Sequence, residues 1–428
     1  MKWSTWLFSM PISPMEVTVE IPCCSVTDVM AHHRGGGGDS ATSALPARGP
    51  WPHPSSPASD CYRVLDRLTA TSGGERMVAS QPHRVGLIGV GPGGDLHAGA
   101  LRLIADQFGP DAAPAEVVAT ASSRGAGSPH WPDARKLSTE EIVVDPDVSV
   151  VAICTPSDSH GALTLAALRA GKHVVVEKPM ALDAGEAEEI VAEAAARNLV
   201  VSPVSQRRFE PVHQKIKSML DNGDLGRLIL AESFLHWWRD DAYYASAPWR
   251  LHQELGGGSL MNQGVHNIDL LEWLVGPSRS VQAMYATLGH DMPTEDTTVA
   301  NVELAGPDGS GALGVIITST ATYPGEPAEL ILRTTKGTVR IDQEGIADWS
   351  IDGVDRPEVA KGPPSGASDP SAIGYTSHAA QWRDVLAAID GGTAPLLDAE
   401  SGWRTVQLMT AMYDSAETGH RITLKEHP

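Results

Sequence analysis

Long hydrophobic runs are missing from this chain. Its most apolar stretches, VGLIGV at 85–90 and VSVVAIC at 148–154, are far shorter than the roughly 20 residues a bilayer-crossing helix needs, so no membrane span is expected. Basic residues are scarce: 32 Lys and Arg stand against 53 Asp and Glu, a formal net charge of −21. A nucleic-acid binder neutralises phosphates with a basic face, and that class is set aside. Cysteine is scarcer still. Of four, Cys23, Cys24 and Cys61 fall in a low-complexity beginning, leaving Cys154 alone in the part expected to fold. A disulfide framework is excluded on that count, and a reducing cytoplasm fits. No internal repeat is visible.

What the chain has is length and apolar content, 428 residues of which 42% are hydrophobic, enough for two domains with proper cores. Residues 1–82 are different material: HHRGGGGDSATSALPARGPWPHPSSPASD is rich in Gly, Pro, Ser and Ala, lacks a hydrophobic period and reads as disordered. The start, MKWSTWLFSMPISP, has one lysine, a polar-interrupted apolar patch and no small-residue cleavage site after it, a poor export signal. A second reading starts translation at Met77, because Gly73-Gly74-Glu75-Arg76 is encodable by a purine-rich stretch resembling a ribosome-binding site.

From Arg84 onward short apolar strands alternate with helical stretches: RVGLIGV, AEVVATA, VSVVAICT, HVVVE and LVVSPV as strands, with helices between most of them. Alternation of this kind predicts an α/β unit, a doubly wound parallel sheet with helices on both faces, over 83–205. One crossover, SSRGAGSPHWPDARKLSTEE, holds two prolines and little period, so its helix is expected to be shortened. Residues 206–428 read as a second, α+β domain: a helix at VHQKIKSMLDNG, a strand at GRLILAESFLHWW, a helix within GGGSLMNQGVHNIDLLEWLVG, five further strand-like runs forming a mostly antiparallel sheet, and two closing helices.

The first strand runs into GVGPGGDLH, in which Gly89, Gly91 and Gly94 form a G-x-G-x-x-G ahead of a helix. A plain glycine-rich turn carries the same letters. The strand before and the helix after favour a dinucleotide cradle, since glycines let backbone approach a pyrophosphate and the helix N-terminus offers free N–H groups. The second strand ends in Ala121-Ser122-Ser123-Arg124 instead of an acid. Hydroxyls and a guanidinium suit a 2′-phosphate, so NADP is favoured over NAD.

Lys178 follows HVVVE at the sheet edge where open α/β sheets place ligands. Pro179 restricts its backbone, and Glu177 is a counter-charge. Further on, Asn262, His266 and Asp269 are spaced i, i+4, i+7, one side of a helix, and Asp269 is expected to orient His266. A metal is not expected, because His-x-x-Asp is a sparse ligand set with no third partner evident.

Taken in order, GVGPGGDLH, DPDVSVVAICTPSDSH, GKHVVVEKPMAL, GGGSLMNQGVHNIDLLEWLVG and TEDT resemble the Gfo/Idh/MocA oxidoreductases, the glucose-fructose oxidoreductase and inositol dehydrogenase group. The resemblance runs from residue 84 to the end. It implies a Rossmann domain, then an α/β domain whose large open sheet supports the site and a homodimer or homotetramer contact, with hydride transfer between a nicotinamide and a carbinol carbon of a sugar, uronate or cyclitol. By position it makes Lys178 and His266 catalytic with Asp269 as helix companion, and puts Thr155, Pro156 and His160, with Glu177 and Lys178, on the cofactor side. Asn262 departs from the aspartate many members carry there. An amide holds a hydroxyl but takes no proton, so proton chemistry is expected to rest on Lys178 and His266.

For the substrate face, LHWWRDDAYYASAPWR offers Trp238, Tyr243 and Trp249 as flat surfaces for sugar C–H faces, and Arg239 and Arg250 for a carboxylate or phosphate. Arg207 and Arg208 at the domain junction are further candidates. Two other functions compete with a carbohydrate or polyol dehydrogenase: a sugar-modifying enzyme that oxidises transiently and recycles its cofactor, and a nonenzymatic dinucleotide sensor, which would have no use for both Lys178 and His266.

Overall fold

The computed structural model describes residues 81–109, 114–359 and 374–426. The expectations for residues 1–80 lie outside the described residues. The alternating segment forms β1 (His83–Ile88), α1 (Pro92–Phe108), β2 (Ala115–Ala121), β3 (Arg135–Lys136), α2 (Thr139–Val144), β4 (Val150–Ile153), α3 (His160–Arg169), β5 (His173–Val176), α4 (Ala184–Arg197) and β6 (Val201–Pro203). Its six strands pair in parallel in the order β3-β2-β1-β4-β5-β6, a Rossmann sheet. The proline-rich crossover does contain a short helix: α2 is six residues long and is held by a capping box in which Ser138 and Glu141 each take the other's backbone N–H.

After α5 (Pro211–Asp221) come β7 (Leu228–His236), α6 (Asp241–Ala245) and α7 (Val265–Val275), then β8 (Ser278–Ala286), β9 (Thr297–Leu304), β10 (Ala312–Ser319), β11 (Glu329–Thr334), β12 (Gly337–Ile341) and β13 (Ile346–Ile351). The chain closes with α8 (Thr376–Gly391), α9 (Ala399–Thr418) and β14 (Ile422–Thr423). The second sheet has eight strands, β13-β12-β11-β7-β10-β9-β8-β14, antiparallel except where β7 and β10 run parallel. β13 escaped the sequence reading because IADWSI mixes polar and apolar residues on an edge-side strand, and β14 because two residues carry no period.

Helices α7 and α9 cover one face of this sheet. Helix α8 does something the linear reading missed. It returns to the first sheet and packs along α1, so that Trp382, Val385 and Leu386 join Val85, Leu87 and Leu101 in one core. Their i, i+3, i+4 spacing gives α8 a single apolar stripe, and the stripe is buried by Rossmann residues.

The junction between the two sheets is pinned by charge. Arg208, just after β6, donates from Nε and Nη2 to Asp269 on α7 at 2.9 and 2.5 Å, and the Ser205 hydroxyl donates to the same carboxylate. Both side chains are buried. Removing one partner of such a pair strands a desolvated charge, at a cost of about 3–5 kcal/mol. Arg208→Ala is therefore expected to lower unfolding free energy in urea by about that much, whereas replacing Arg208 and Asp269 together by Met and Leu recovers most of it.

Candidate active site

Strands β1, β4 and β5 end in register, Ile88 beside Ile153 and Ile153 beside Val176. Their carboxyl ends therefore place Gly89, Cys154 and Glu177 along one edge. Gly89 has φ of +94°, a conformation side chains rarely adopt, and lets the chain turn into α1. A Cβ on Gly94 would overlap the Gly89 carbonyl oxygen, so only glycine allows α1 to start this close to the strand, while a Cβ on Gly91 would meet nothing within 4 Å. The loop thus leaves open ground before a 17-residue helix N-terminus, and these residues fit the pyrophosphate of a nicotinamide dinucleotide.

At the end of β2, Ser122 turns inward on its own loop, its Oγ accepting from the Arg124 backbone N–H at 3.2 Å, and Ser123 and Arg124 are exposed. Thr155, Pro156 and His160 lie beyond β4. The buried His160 ring spans two loops, with Nε2 2.9 Å from the Thr155 carbonyl and Nδ1 2.7 Å from that of Pro179. This clamps the loop after β4 to the loop that carries Lys178, whose bond to Pro179 is cis.

Lys178 Nζ donates to both oxygens of Asn262, the backbone carbonyl at 2.9 Å and Oδ1 at 3.3 Å. The amide's other end donates from Nδ2 to the Tyr243 hydroxyl at 3.3 Å, and Gln263 Nε2 donates to the same hydroxyl at 2.9 Å. Burial pushes the Lys178 pKa down, Glu177 raises it and Arg250 lowers it further, for a net fall below the ordinary lysine value. His266 is pulled well below its usual value, first by burial and then by the positive charges of Lys178 and Arg207, so the ring is neutral. Its Nδ1 is buried and has no protein partner.

The helix that carries these groups does not begin as an α-helix. Ser259–Gly264 forms a π-turn that passes into α7 at Val265, so Asn262 and His266 are not spaced as in a plain α-helix, contrary to the i, i+4 expectation. Glu295, from TEDT, caps that turn: it accepts from Ser259 Oγ at 2.6 Å, the Leu260 N–H at 2.9 Å and the Tyr413 hydroxyl at 3.0 Å. Burial outweighs these donors and pushes its pKa up to about 7. π-turns recur at functional sites.

Several expected roles change on inspection. Asp269 does not orient His266, because its carboxylate is taken by Arg208 and Ser205. Arg207 is buried, and its guanidinium donates to Asn267, which is itself tied to the Phe234 and Glu329 carbonyls. Arg239 is also buried, donates to the Trp238 carbonyl and lies 4.8 Å over Trp237. Trp238 stacks on His290 and meets Tyr323 edge-on. All three are engaged by protein partners, and Arg239 also lies 5.2 Å from the centre of the Tyr243 ring. Nearer to Lys178, Tyr243 carries the Arg250 guanidinium 3.9 Å above its ring, with Trp249 5.6 Å from the same group. Gln263 and Glu295 lie within the NQG and TEDT segments, where spacing alone does not mark either side chain.

The NAD-binding Rossmann model of the Gfo/Idh/MocA oxidoreductases matches residues 83–204, and the model of their C-terminal domain matches 213–340. The chain belongs to the Gfo/Idh/MocA oxidoreductase family. Among its relatives, levoglucosan dehydrogenase from Pseudarthrobacter phenanthrenivorans is 30% identical over 224 residues, 49% of this chain and 56% of the relative. The NADP(+)-type scyllo-inositol 2-dehydrogenase from Bacillus subtilis is 30% identical over 202 residues, 47% and 54%. The chain spans about half the length of these curated relatives. The crystal structure of the WlbA dehydrogenase from Bordetella pertussis with NADH and UDP-GlcNAcA superimposes with a TM-score of 0.70 at 29% identity, over 81% of this chain and 99% of that one.

The glycine geometry of this Gfo/Idh/MocA loop gives a direct check. Gly94→Ala forces α1 away from the strand, and NAD(P)H binding, followed by fluorescence titration, is expected to weaken by at least about 100-fold with near-UV dichroism retained.

Proposed function

We propose that the protein is an NAD(P)-dependent dehydrogenase acting on a secondary alcohol of a sugar, uronate or cyclitol. The observation that carries this reading is the pairing of Lys178, at the edge of the dinucleotide sheet, with a neutral His266 on α7. A dinucleotide bound along Gly89, Gly91 and Gly94 would supply the hydride acceptor or donor. The chain's own part is proton handling and orientation. His266, neutral and with an unpartnered nitrogen, takes the hydroxyl proton. Lys178, with two of its three hydrogens given to Asn262, directs the third at the oxygen and stabilises its developing charge. Tyr243 and Asn262 set the floor on which the hydroxyls lie, and Arg250, stacked on Tyr243, favours substrates that carry a carboxylate or phosphate. The relatives that bind levoglucosan, inositol or UDP-GlcNAcA by name support this substrate class. Arg124 beside Ser123, with no acid at the end of β2, supports NADP over NAD.

The deciding assay follows reduced-nicotinamide absorbance with NAD or NADP and a panel of sugars, uronates and inositols. Turnover of one polyol, lost by at least about 100-fold in Lys178→Ala, is expected, and Arg124→Ala is expected to raise KM for NADP and leave KM for NAD in place. Cofactor binding with no net reduction on any polyol would move the reading to a recycling enzyme. The pH profile follows from the two directions: the His266 acid limb lies below 6.5, and the alkaline limb, where Lys178 loses its proton, lies below 10.5.

The open face of the second sheet supports self-association. Met284 pairs with Val299, Val299 with Ile317 and Ile317 with Phe234, an apolar row across four strands, and Met284 and Leu313 are 73% and 61% exposed. A row of this kind on the face away from α7 and α9 fits a second copy of the chain about a two-fold axis. Sedimentation is expected to give a dimer or tetramer, and Met284→Glu with Leu313→Glu to give monomer.

A further inference from the structure

Beneath the dinucleotide loop, three segments far apart in sequence meet in a closed space. His97 comes from α1, Glu177 from the end of β5, and Trp382 and His378 from α8. His97 and His378 are each 2% exposed and Trp382 is 1% exposed. The Trp382 indole N–H donates to His97 Nδ1 at 3.0 Å, and His97 Nε2 faces Glu177 Oε1 at 3.3 Å. Glu177 Oε2 in turn accepts the backbone N–H of Lys178 at 3.2 Å. The His97 ring also meets Trp382 and His378 edge-on, with centroids 5.9 and 5.5 Å apart.

An indole nitrogen only donates, so Nδ1 of His97 must accept. The proton of the neutral ring then sits on Nε2 and points at Glu177. We propose that Trp382 and His97 are positioning residues for the reaction: the indole fixes the tautomer in which His97 donates to Glu177, and Glu177 so held fixes the backbone of Lys178.

The electrostatics fit this chain of bonds. Burial raises the Glu177 carboxyl, but the bond from His97 and the neighbouring Lys178 ammonium outweigh it and hold the group below the ordinary carboxylate value. For His97 itself, burial opposes a charge, whereas Cys154 and Glu177 favour one strongly enough to push its pKa up to about 10. Geometry and charge disagree here, and geometry decides: a second proton on Nδ1 would meet the indole N–H donor to donor. Trp382 is what keeps this imidazole neutral between a thiol and a carboxylate. The same argument bears on a metal. His97, Glu177 and His378 bring ligand atoms within 4.8 Å of one another, the composition of a zinc site, but a protonated Nε2 has no lone pair to give a cation.

The inference rests on the dehydrogenase reading for its kinetic arm only. In histidine labelled with nitrogen-15, assigned by its loss in His97→Gln, the shifts report the tautomer without substrate. His97 is expected to carry its proton on Nε2 and not to titrate between about pH 5 and 8, the range of an ordinary histidine. In Trp382→Phe, where Nδ1 no longer faces a donor, the ring is expected to carry both protons across that range and to lose one only at higher pH. The alkaline limb of kcat then moves to lower pH, because a charged His97 cancels part of the Glu177 charge that keeps Lys178 protonated. His97→Leu is expected to lower kcat about 10- to 100-fold with KM for the dinucleotide within about twofold. His97→Gln, whose amide N–H still reaches toward Glu177, recovers most of that loss. A wild-type His97 protonated on Nδ1, or a folded His97→Leu with unchanged kcat, overturns the proposal. If the wild-type protein turns over no substrate, the dehydrogenase reading fails, and the nitrogen shifts still decide the relay.

Discussion

One buried ion pair holds this molecule in register with itself. Asp269 sits on α7, Arg208 in the turn that leaves the Rossmann sheet, and each is desolvated. A charge in such a place is tolerable only when its hydrogen bonds are filled, and Asp269 receives both guanidinium nitrogens and the Ser205 hydroxyl. The bond fixes the azimuth of α7 against the first sheet. Asn262 and His266, earlier on the same helical segment, then fall opposite Lys178. Without that constraint the lysine would be an ammonium at a strand end and the histidine a ring on a helix, with nothing to make them neighbours.

Once they are neighbours, burial and like charge act together. Burial and the charges of Lys178 and Arg207 leave His266 unable to hold a proton, and burial with the charge of Arg250 takes part of the lysine's own basicity. The histidine is thereby held neutral, while the lysine's pKa is drawn down from its ordinary value. The Glu177 carboxylate favours the charged form of both, and it is anchored by His97 from below. The carboxylate most important to the ammonium is thus controlled by a histidine and a tryptophan that do not line the site.

The first sheet was legible because parallel strands buried on both faces read as apolar runs, and because glycine at 89 and 94 is demanded by backbone geometry that no other residue meets. The second sheet was legible strand by strand but not in its pairing: the parallel contact of β7 with β10 joins segments some eighty residues apart. Helix α8 was legible as one of two closing helices, yet nothing along the chain names its partner, and the helix packs on α1. Asp269 shows the same limit within the site. Its spacing from His266 was correct along the chain and wrong as a contact, since Arg208 outbids a neutral imidazole for a carboxylate.

By itself the sequence determined the α/β class, the glycine cradle and the dinucleotide expectation, with Lys178 at a strand end and His266 on a helix as side chains whose chemistry suits proton handling. Those follow from local rules: period, turn geometry and side-chain chemistry. Only the tertiary structure decided that the helix of His266 opens with a π-turn, that Arg207 and Arg239 are buried among protein partners, and that Trp382 reaches back to His97. Each of these depends on which donor meets which acceptor across distant segments, and hydrogen bonds are directional over about 3 Å, a distance that no spacing along a chain encodes.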